Sequence, residues 1–352
     1  MSPVTSRALD PILRRVSRTI FLTLRVAPSA TRRALGLAYL FCRAADTIAD
    51  TRLLPPSSRI QRLHAYRARF ESDGAGSRVA DLEDVTRELG PAQAIAEERE
   101  LLARLEECFR EYSSLEEGDR ARIRKLVTTL VQGMEMDLVS FPPEESGRAS
   151  ALESDEDLDR YTYYVAGCVG EFFTDLHAAH VPALARWDLV AMRERGVLFG
   201  KALQMTNVLR DVDRDLAIGR SYFPRPRLEA AGVTADELRS GRGREKLRPL
   251  LHAYLRHTLR LYRAGWEYTL AIPRRELRLR LACAWPLLIG LETLALLARA
   301  RDPYAPGTVI KISRREVRRI LARSAARIWS DRALSRMYGE LEAKVEGGLD
   351  TG

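Results

Sequence analysis

The apolar positions of this chain recur at helical spacing over most of its length. Leu37, Leu40, Phe41, Ala44, Ala45 and Ile48 fall on one stripe, and Tyr39, Arg43, Asp46 and Asp50 follow beside it at i, i+4, i+7 and i+11. A helix of that kind is expected to pack into a core and to turn its carboxylates inward. Alternating runs bounded by turn signals are nearly absent, so the pattern predicts an all-α fold. Helices are expected near 9–26, 30–51, 58–72, 84–113, 119–137, 155–181, 187–217, 244–271, 273–300 and 313–345, the last one broken. The segment 71–83 and the stretch from Phe141 to Ser154 read as loops. Ser154 before Asp155, Glu156 and Asp157 supplies an N-cap and an acidic first turn, and Gly219 supplies a C-cap.

Composition narrows this picture. With 352 residues, 46% of them hydrophobic, one main domain is expected over 10–345, with flexible tails at 1–9 and 346–352. The formal charge of +9 raises nucleic acid as a partner. The arginines, however, are spread over every segment among Asp and Glu, without aromatic-basic repeats, so no nucleic-acid partner is expected. Cys42, Cys108, Cys168 and Cys283 lie far apart with no CxxC, which indicates neither zinc cluster nor disulfide framework and fits a reducing cytoplasm. The N-terminal region carries no apolar signal-peptide core. The most apolar stretch, Leu281 to Leu297, contains Pro286 and Glu292 and reads as a buried helix. Any membrane contact is therefore expected to be peripheral, through basic surface and an apolar rim.

The candidate chemistry sits on a second acidic stripe, Gln204, Asn207, Asp211 and Asp215. On one helix Asp211 and Asp215 lie about 6 Å apart along the axis, within reach of a shared hard cation such as Mg²⁺, while Asp213 points about 160° away from Asp211. One such pair is as readily a solvated helix face. Two matched pairs repel unless cations or bound groups compensate them, which points to metal-bridged phosphate binding on helices expected to face each other across a cavity. A third segment, Tyr161-Thr-Tyr-Tyr-Val165-Ala-Gly167-Cys168-Val-Gly170, places Tyr161, Val165, Cys168 and Phe172 on one stripe. Its small residues serve close helix packing or make room for a bulky ligand; the sequence leaves both open. His177 and His180 stand at an expected helix end, where they meet terminal carbonyls more readily than a metal.

In these motifs the sequence resembles the squalene and phytoene synthase family of head-to-head prenyl transferases, from about Val16 to Arg314. The resemblance rests on Val16-Ser17-Arg18-Thr19, Tyr39 through Arg43 to Asp50, Tyr161 through Gly170, Gln204 through Asp215, and Gly219-Arg220-Ser-Tyr-Phe-Pro224. It implies a single helical bundle around a deep cavity, with Asp46, Asp50, Asn207, Asp211 and Asp215 holding Mg²⁺. Ser17, Arg18, Arg43, Gln204, Arg210 and Arg220 would bind two prenyl diphosphates. Val165, Gly167, Cys168 and Phe172 would wall the carbocation, and Tyr161 and Tyr39 would orient diphosphate or guide proton transfer. Asp-Thr-x-x-Asp, where phytoene synthases usually carry a further Asp at the position of Thr47, resembles the squalene synthases. So does the C-terminal third, in which Lys311 and Arg314 would meet the phosphate of NADPH. The resemblance thus implies two farnesyl diphosphates joined to presqualene diphosphate and then reduced to squalene. Family alternatives stop at presqualene diphosphate or make dehydrosqualene or phytoene; a non-catalytic assembly protein is the alternative from another class. Arg214, Thr162 and Ile20 depart from the family pattern. A cytoplasmic monomer is expected.

Overall fold

The computed structural model describes residues 5, 9–17, 20–51, 54–71, 95–305 and 307–350. The chain groups into two compact units, Met1–Val139 with Glu171–Leu189, and Ser140–Gly170 with Val190–Gly352.

The first unit is built on α3 (Ser29–Asp50), preceded by α1 (Asp10–Ser17) and α2 (Ile20–Val26) and followed by α4 (Pro56–Glu71), α5 (Ala96–Ala103), α6 (Leu105–Ser113) and α7 (Glu117–Ser140). All six stripe residues named above, from Leu37 to Ile48, are fully buried. Phe41 anchors an aromatic cluster, its ring 4.9 Å from those of Phe70 and Phe109 and 5.7 Å from Tyr112. The contacts with Phe70 and Tyr112 are edge-on and that with Phe109 is tilted, arrangements that aromatic pairs favour over a face-to-face stack. The Tyr66 hydroxyl donates to the Phe41 carbonyl at 2.9 Å. Arg59, 2% exposed, donates to the Ala49 carbonyl at 3.1 Å and so occupies an acceptor left free at the end of α3. The predicted helix 84–113 is broken at Arg104, and its residues 84–94 lie outside the described ones.

In the second unit, Ser154 caps α8 (Asp155–Thr162) by accepting from the Asp157 amide at 3.1 Å, as expected. A π-helical turn, Tyr163–Gly167, then leads into α9 (Cys168–His180), whose residues from Glu171 onward belong to the first unit. This segment crosses α10 (Leu189–Arg210) at backbone contact. A Cβ on Gly170 would lie 1.8 Å from the Gly196 carbonyl oxygen, and one on Gly200 would lie 2.0 Å from that of Ala166. Glycine at 170 and at 200 is therefore required by packing, which for Gly170 bears out the first of the two roles left open by sequence.

The predicted helix 187–217 is corrected. It breaks at Asp211, whose φ of −98° and ψ of 14° leave the helical region between α10 and α11 (Val212–Ala217). The presumed loop 141–154 contains β1 (Ser150–Ala151), which pairs in parallel with β2 (Arg220–Ser221), a two-residue ladder too short for any periodic signal. Gly219, at φ +85°, makes the turn into β2, where a Cβ would stand 2.6 Å from the Arg148 carbonyl oxygen.

The unit continues through α12 (Arg225–Ala230), α13 (Ala235–Arg239), α14 (Arg248–Ala271), α15 (Leu277–Arg299), α16 (Arg314–Arg327) and α17 (Asp331–Asp350). Helix α15 runs through Pro286 and is long and apolar enough to cross a membrane, but it is mostly buried within the protein, as the buried-helix reading expects. Gly290 on α15 admits the Tyr262 hydroxyl, 1.9 Å from where a Cβ would be, and that hydroxyl pairs with Thr206 of α10 at 2.7 Å. Residues 346–350 are no tail: α17 extends to Asp350, with Gly348 and Leu349 buried.

Candidate active site

Each unit carries one acidic motif. On α3, Tyr39, Arg43 and Asp46 are half-buried while Asp50 is exposed, so the expected inward turn of both carboxylates holds only in part. Arg43 is ion-paired to Glu98 of α5 and lies 3.7 Å from Asp46. Glu98, 6% exposed, was not singled out by sequence. It stands in the acidic run Glu97-Glu98-Arg-Glu100, where nothing distinguishes the residue that turns inward.

Desolvation, then the neighbouring Asp50, push the Asp46 carboxyl up to about 7 against the pull of Arg43. Its side chain still keeps 43% of its surface exposed, so water moderates the effect. Two residues of the expected diphosphate-handling set meet backbone carbonyls. The Tyr39 hydroxyl donates to the Val16 carbonyl at 3.1 Å, and buried Ser17 donates to the Leu13 carbonyl, so both groups satisfy the end of α1. Arg18 lies outside the described residues.

The second unit gathers more of the expected set. Tyr161, 8% exposed, stacks on Tyr222 with ring centroids 4.4 Å apart. Gln204 Nε2 donates to the Tyr161 hydroxyl oxygen at 3.4 Å, and Asn207 Nδ2 donates to Gln204 Oε1 at 3.2 Å. Tyr222 also lines a small cleft with Asp215, Arg220, Val208, Val212 and Phe223. Sequence missed Tyr222, although it lies within Arg220-Ser-Tyr-Phe-Pro224. A π-face opposite Tyr161 has no periodic signature.

Asp211 is engaged by its neighbour. Arg210 Nε donates to Oδ1 at 2.8 Å and Nη2 to Oδ2 at 2.5 Å, and this hydrogen bonding pushes the guanidinium pKa further up. Asp213 points elsewhere, as expected. It pairs with Arg244, whose Nη1 also donates to the Tyr304 carbonyl at 2.6 Å, and it accepts from the Gly307 amide at 3.3 Å. Arg220 lies 3.9 Å from Glu144, while Arg214 is exposed.

Gly167 and Cys168 are buried and Val165 is half-buried at the π-helical turn, with the Cys168 thiol bonded to the Tyr164 carbonyl at 2.9 Å. Lys311 and Arg314 are exposed, Arg314 being the first residue of α16 after the Ser313 cap. The histidines are structural. His177 lies 3.2 Å from the Thr31 hydroxyl and 2.8 Å from the Phe173 carbonyl, and His180 lies 2.8 Å from Asp119.

The donor set suits magnesium. Among the described residues no three His, Cys, Asp or Glu side chains gather as a protein cage. Carboxylates are hard oxygen donors of the kind magnesium takes. Partial burial and the neighbouring Asp50 both disfavour the charged form of Asp46, which a bound cation would favour.

The squalene/phytoene synthase family model matches residues 13–316, and the chain belongs to that family of prenyl transferases. It is 29% identical over 233 residues to the bifunctional lycopene cyclase/phytoene synthase of Phaeosphaeria nodorum, covering 64% of this chain and 35% of that one. To the squalene synthase of Eremothecium gossypii it is 27% identical over 236 residues, covering 65% and 47%. To the presqualene diphosphate synthase of Zymomonas mobilis it is 30% identical over 223 residues, covering 62% and 60%. The matches thus span less than two thirds of each relative. The squalene synthase TcSQS, solved with a bound ligand, shares the all-α fold with a TM-score of 0.71 at 22% identity over 97% of either chain.

Proposed function

We propose that the protein joins two farnesyl diphosphates head to head, giving presqualene diphosphate and then, with NADPH, squalene. The observation that carries the transferase reading is that Tyr222 both stacks on Tyr161 and lines the cleft shared by Asp215 and Arg220. One aromatic residue thereby links a hydroxyl suited to the reacting centre with groups suited to a metal diphosphate.

In this reading Asp46 and Asp50 in the first unit, and Asp211, Asp215 and Asn207 in the second, hold Mg²⁺, which neutralises charge on the departing diphosphate. Arg43, Arg210 and Arg220 would bind phosphate oxygens directly, Arg210 from its present place beside Asp211. In this reading the Tyr161 hydroxyl, which accepts from Gln204, would orient the diphosphate or guide proton transfer on ring closure. Buried Gly167 and Cys168 line the water-poor side.

The reductive half is supported by the Asp-Thr-x-x-Asp motif and by the C-terminal resemblance, with exposed Lys311 and Arg314 as contacts for the NADPH phosphate. Arrest at presqualene diphosphate is the second reading, favoured by the 30% identity to an enzyme of that name. Incubating purified protein with farnesyl or geranylgeranyl diphosphate and Mg²⁺, with and without NADPH, separates these by product mass. Squalene formed only with NADPH supports the first reading, and the same product in both arms defeats it. Replacing Lys311 and Arg314 by Ala should raise the NADPH requirement at least about tenfold while farnesyl diphosphate consumption stays nearly intact. Both half-reactions falling together would instead mark a folding role.

A further inference from the structure

Helix α16 (Arg314–Arg327) has six arginines and one glutamate, and it presents them unevenly. Arg315, Arg318, Arg319, Ala322, Ala325 and Ala326 are all exposed, and at 100° per residue they fall within an arc of about 120°. The opposite side holds buried Ile320 and Ser324, with Ile328 buried just beyond the helix end. Along the exposed face the character changes from guanidinium at the N-terminal half to flat alanine surface at the C-terminal half. Trp329, 67% exposed, stands just past the end, and Val309, 78% exposed, lies in the segment before the start.

We propose that this face docks the protein on a bilayer carrying anionic headgroups. The inference goes beyond the reaction proposed above and rests on the surface alone. Arginines spread along a helix, with no concave pocket, suit a diffuse sheet of negative charge better than a single ligand. Alanines let the helix lie flat, and an exposed indole favours the level of the headgroups. The partners of the face arginines come from the helix itself: Arg319 lies 3.4 Å from Glu316, and Arg318 Nε donates to the Arg314 carbonyl at 3.3 Å, and both residues stay exposed. An acidic protein would match the charge, but it gives no reason for a solvent-facing Trp329 between Ile328 and Ser330.

The test is co-sedimentation of the full chain, without substrate, with phosphatidylcholine vesicles and with vesicles containing one third phosphatidylglycerol. Binding is expected only to the anionic vesicles and should weaken as salt is added. Arg315→Glu with Arg318→Glu should lower the bound-to-free ratio at least about tenfold. Trp329→Phe should remove the blue shift of tryptophan emission seen on binding, and Trp329→Ala should reduce binding several-fold. All these positions are surface ones outside the proposed site, so prenyl diphosphate turnover in detergent should be unchanged, which separates this inference from the functional one. Equal binding by the charge-reversed variant, equal binding to neutral vesicles, or no binding to anionic vesicles at low salt would each overturn it. Self-association through the same face, abolished by Trp329→Ala with no vesicle binding, would overturn it in favour of a second copy of the chain.

Discussion

The two acidic motifs have the same residue spacing and opposite electrostatics. On α3 the helix is unbroken, Arg43 is drawn to Glu98, and Asp46 is left beside Asp50 with its carboxyl pushed up to about 7. On α10 and α11 the helix breaks at Asp211, and that carboxylate is already bridged by Arg210. The first pair shares Arg43 with Glu98, whereas Asp211 holds Arg210 on both of its oxygens. In the proposed reading a cation at Asp211 would compete with Arg210, whose guanidinium could then turn to a phosphate, while Arg43 would stay on Glu98.

The largest effects expected from this contrast are on turnover. Asp46→Ala, Asp50→Ala, Asp211→Ala and Asp215→Ala should each lower it by at least about a thousandfold, with far-UV circular dichroism unchanged. These side chains do little packing, none of the four being buried. Near-normal rates in two of the four at moderate Mg²⁺ would show that the motifs are not metal sites. Next in size is Tyr161→Phe, which keeps the stacking on Tyr222 and removes the acceptor of the Gln204 bond. Single-turnover formation of presqualene diphosphate should fall about a hundredfold with little change in KM. An unchanged rate would leave Tyr161 a packing residue.

Much of this was legible in sequence, for identifiable reasons. The α3 stripe was read residue by residue because burial of six apolar side chains repeats every three to four positions. The Ser154 cap and the Gly219 turn are local chemistry and were read as such. The break at Asp211 was not, since Asp211-Val-Asp-Arg-Asp215 keeps helical spacing and the Asp215 amide still bonds to the Asp211 carbonyl at 2.9 Å. Glu98 and Tyr222 were missed because each owes its role to a partner more than fifty residues away in sequence. Close packing at Gly170 was one of two open readings until the facing backbone of Gly196 was in place.

A smaller effect tests whether the second motif divides its labour. Asp213 stands between two proposed metal ligands yet holds Arg244, which is 6% exposed, and the Gly307 amide. Asp213→Ala should leave the metal requirement unchanged and lower stability by about 1–2 kcal/mol, as a buried cation loses its carboxylate while keeping carbonyl partners. Denaturant melts measure the loss, and a shifted Mg²⁺ dependence would contradict the assignment.

The smallest effect is the most direct measure of the contrast, the pH dependence of stability without metal. A carboxyl raised to about 7 in the folded protein, from an ordinary 3.8, binds more protons folded than unfolded between those values. Its contribution is therefore fully present below about 3.8 and is lost as pH rises through 7. Asp46→Asn cannot ionise, so in EDTA the variant should melt progressively higher than wild type as pH goes from 5 to 8. The difference should be of order 2–4 °C, because the side chain is partly exposed. Mg²⁺ should raise the wild-type melting temperature at pH 8 and leave that of Asp46→Asn less affected. Asp211→Asn should show no such gain at any pH, because the charge it removes is the partner of Arg210. Equal pH profiles for wild type and Asp46→Asn would mean that Arg43 compensates the first motif as fully as Arg210 does the second.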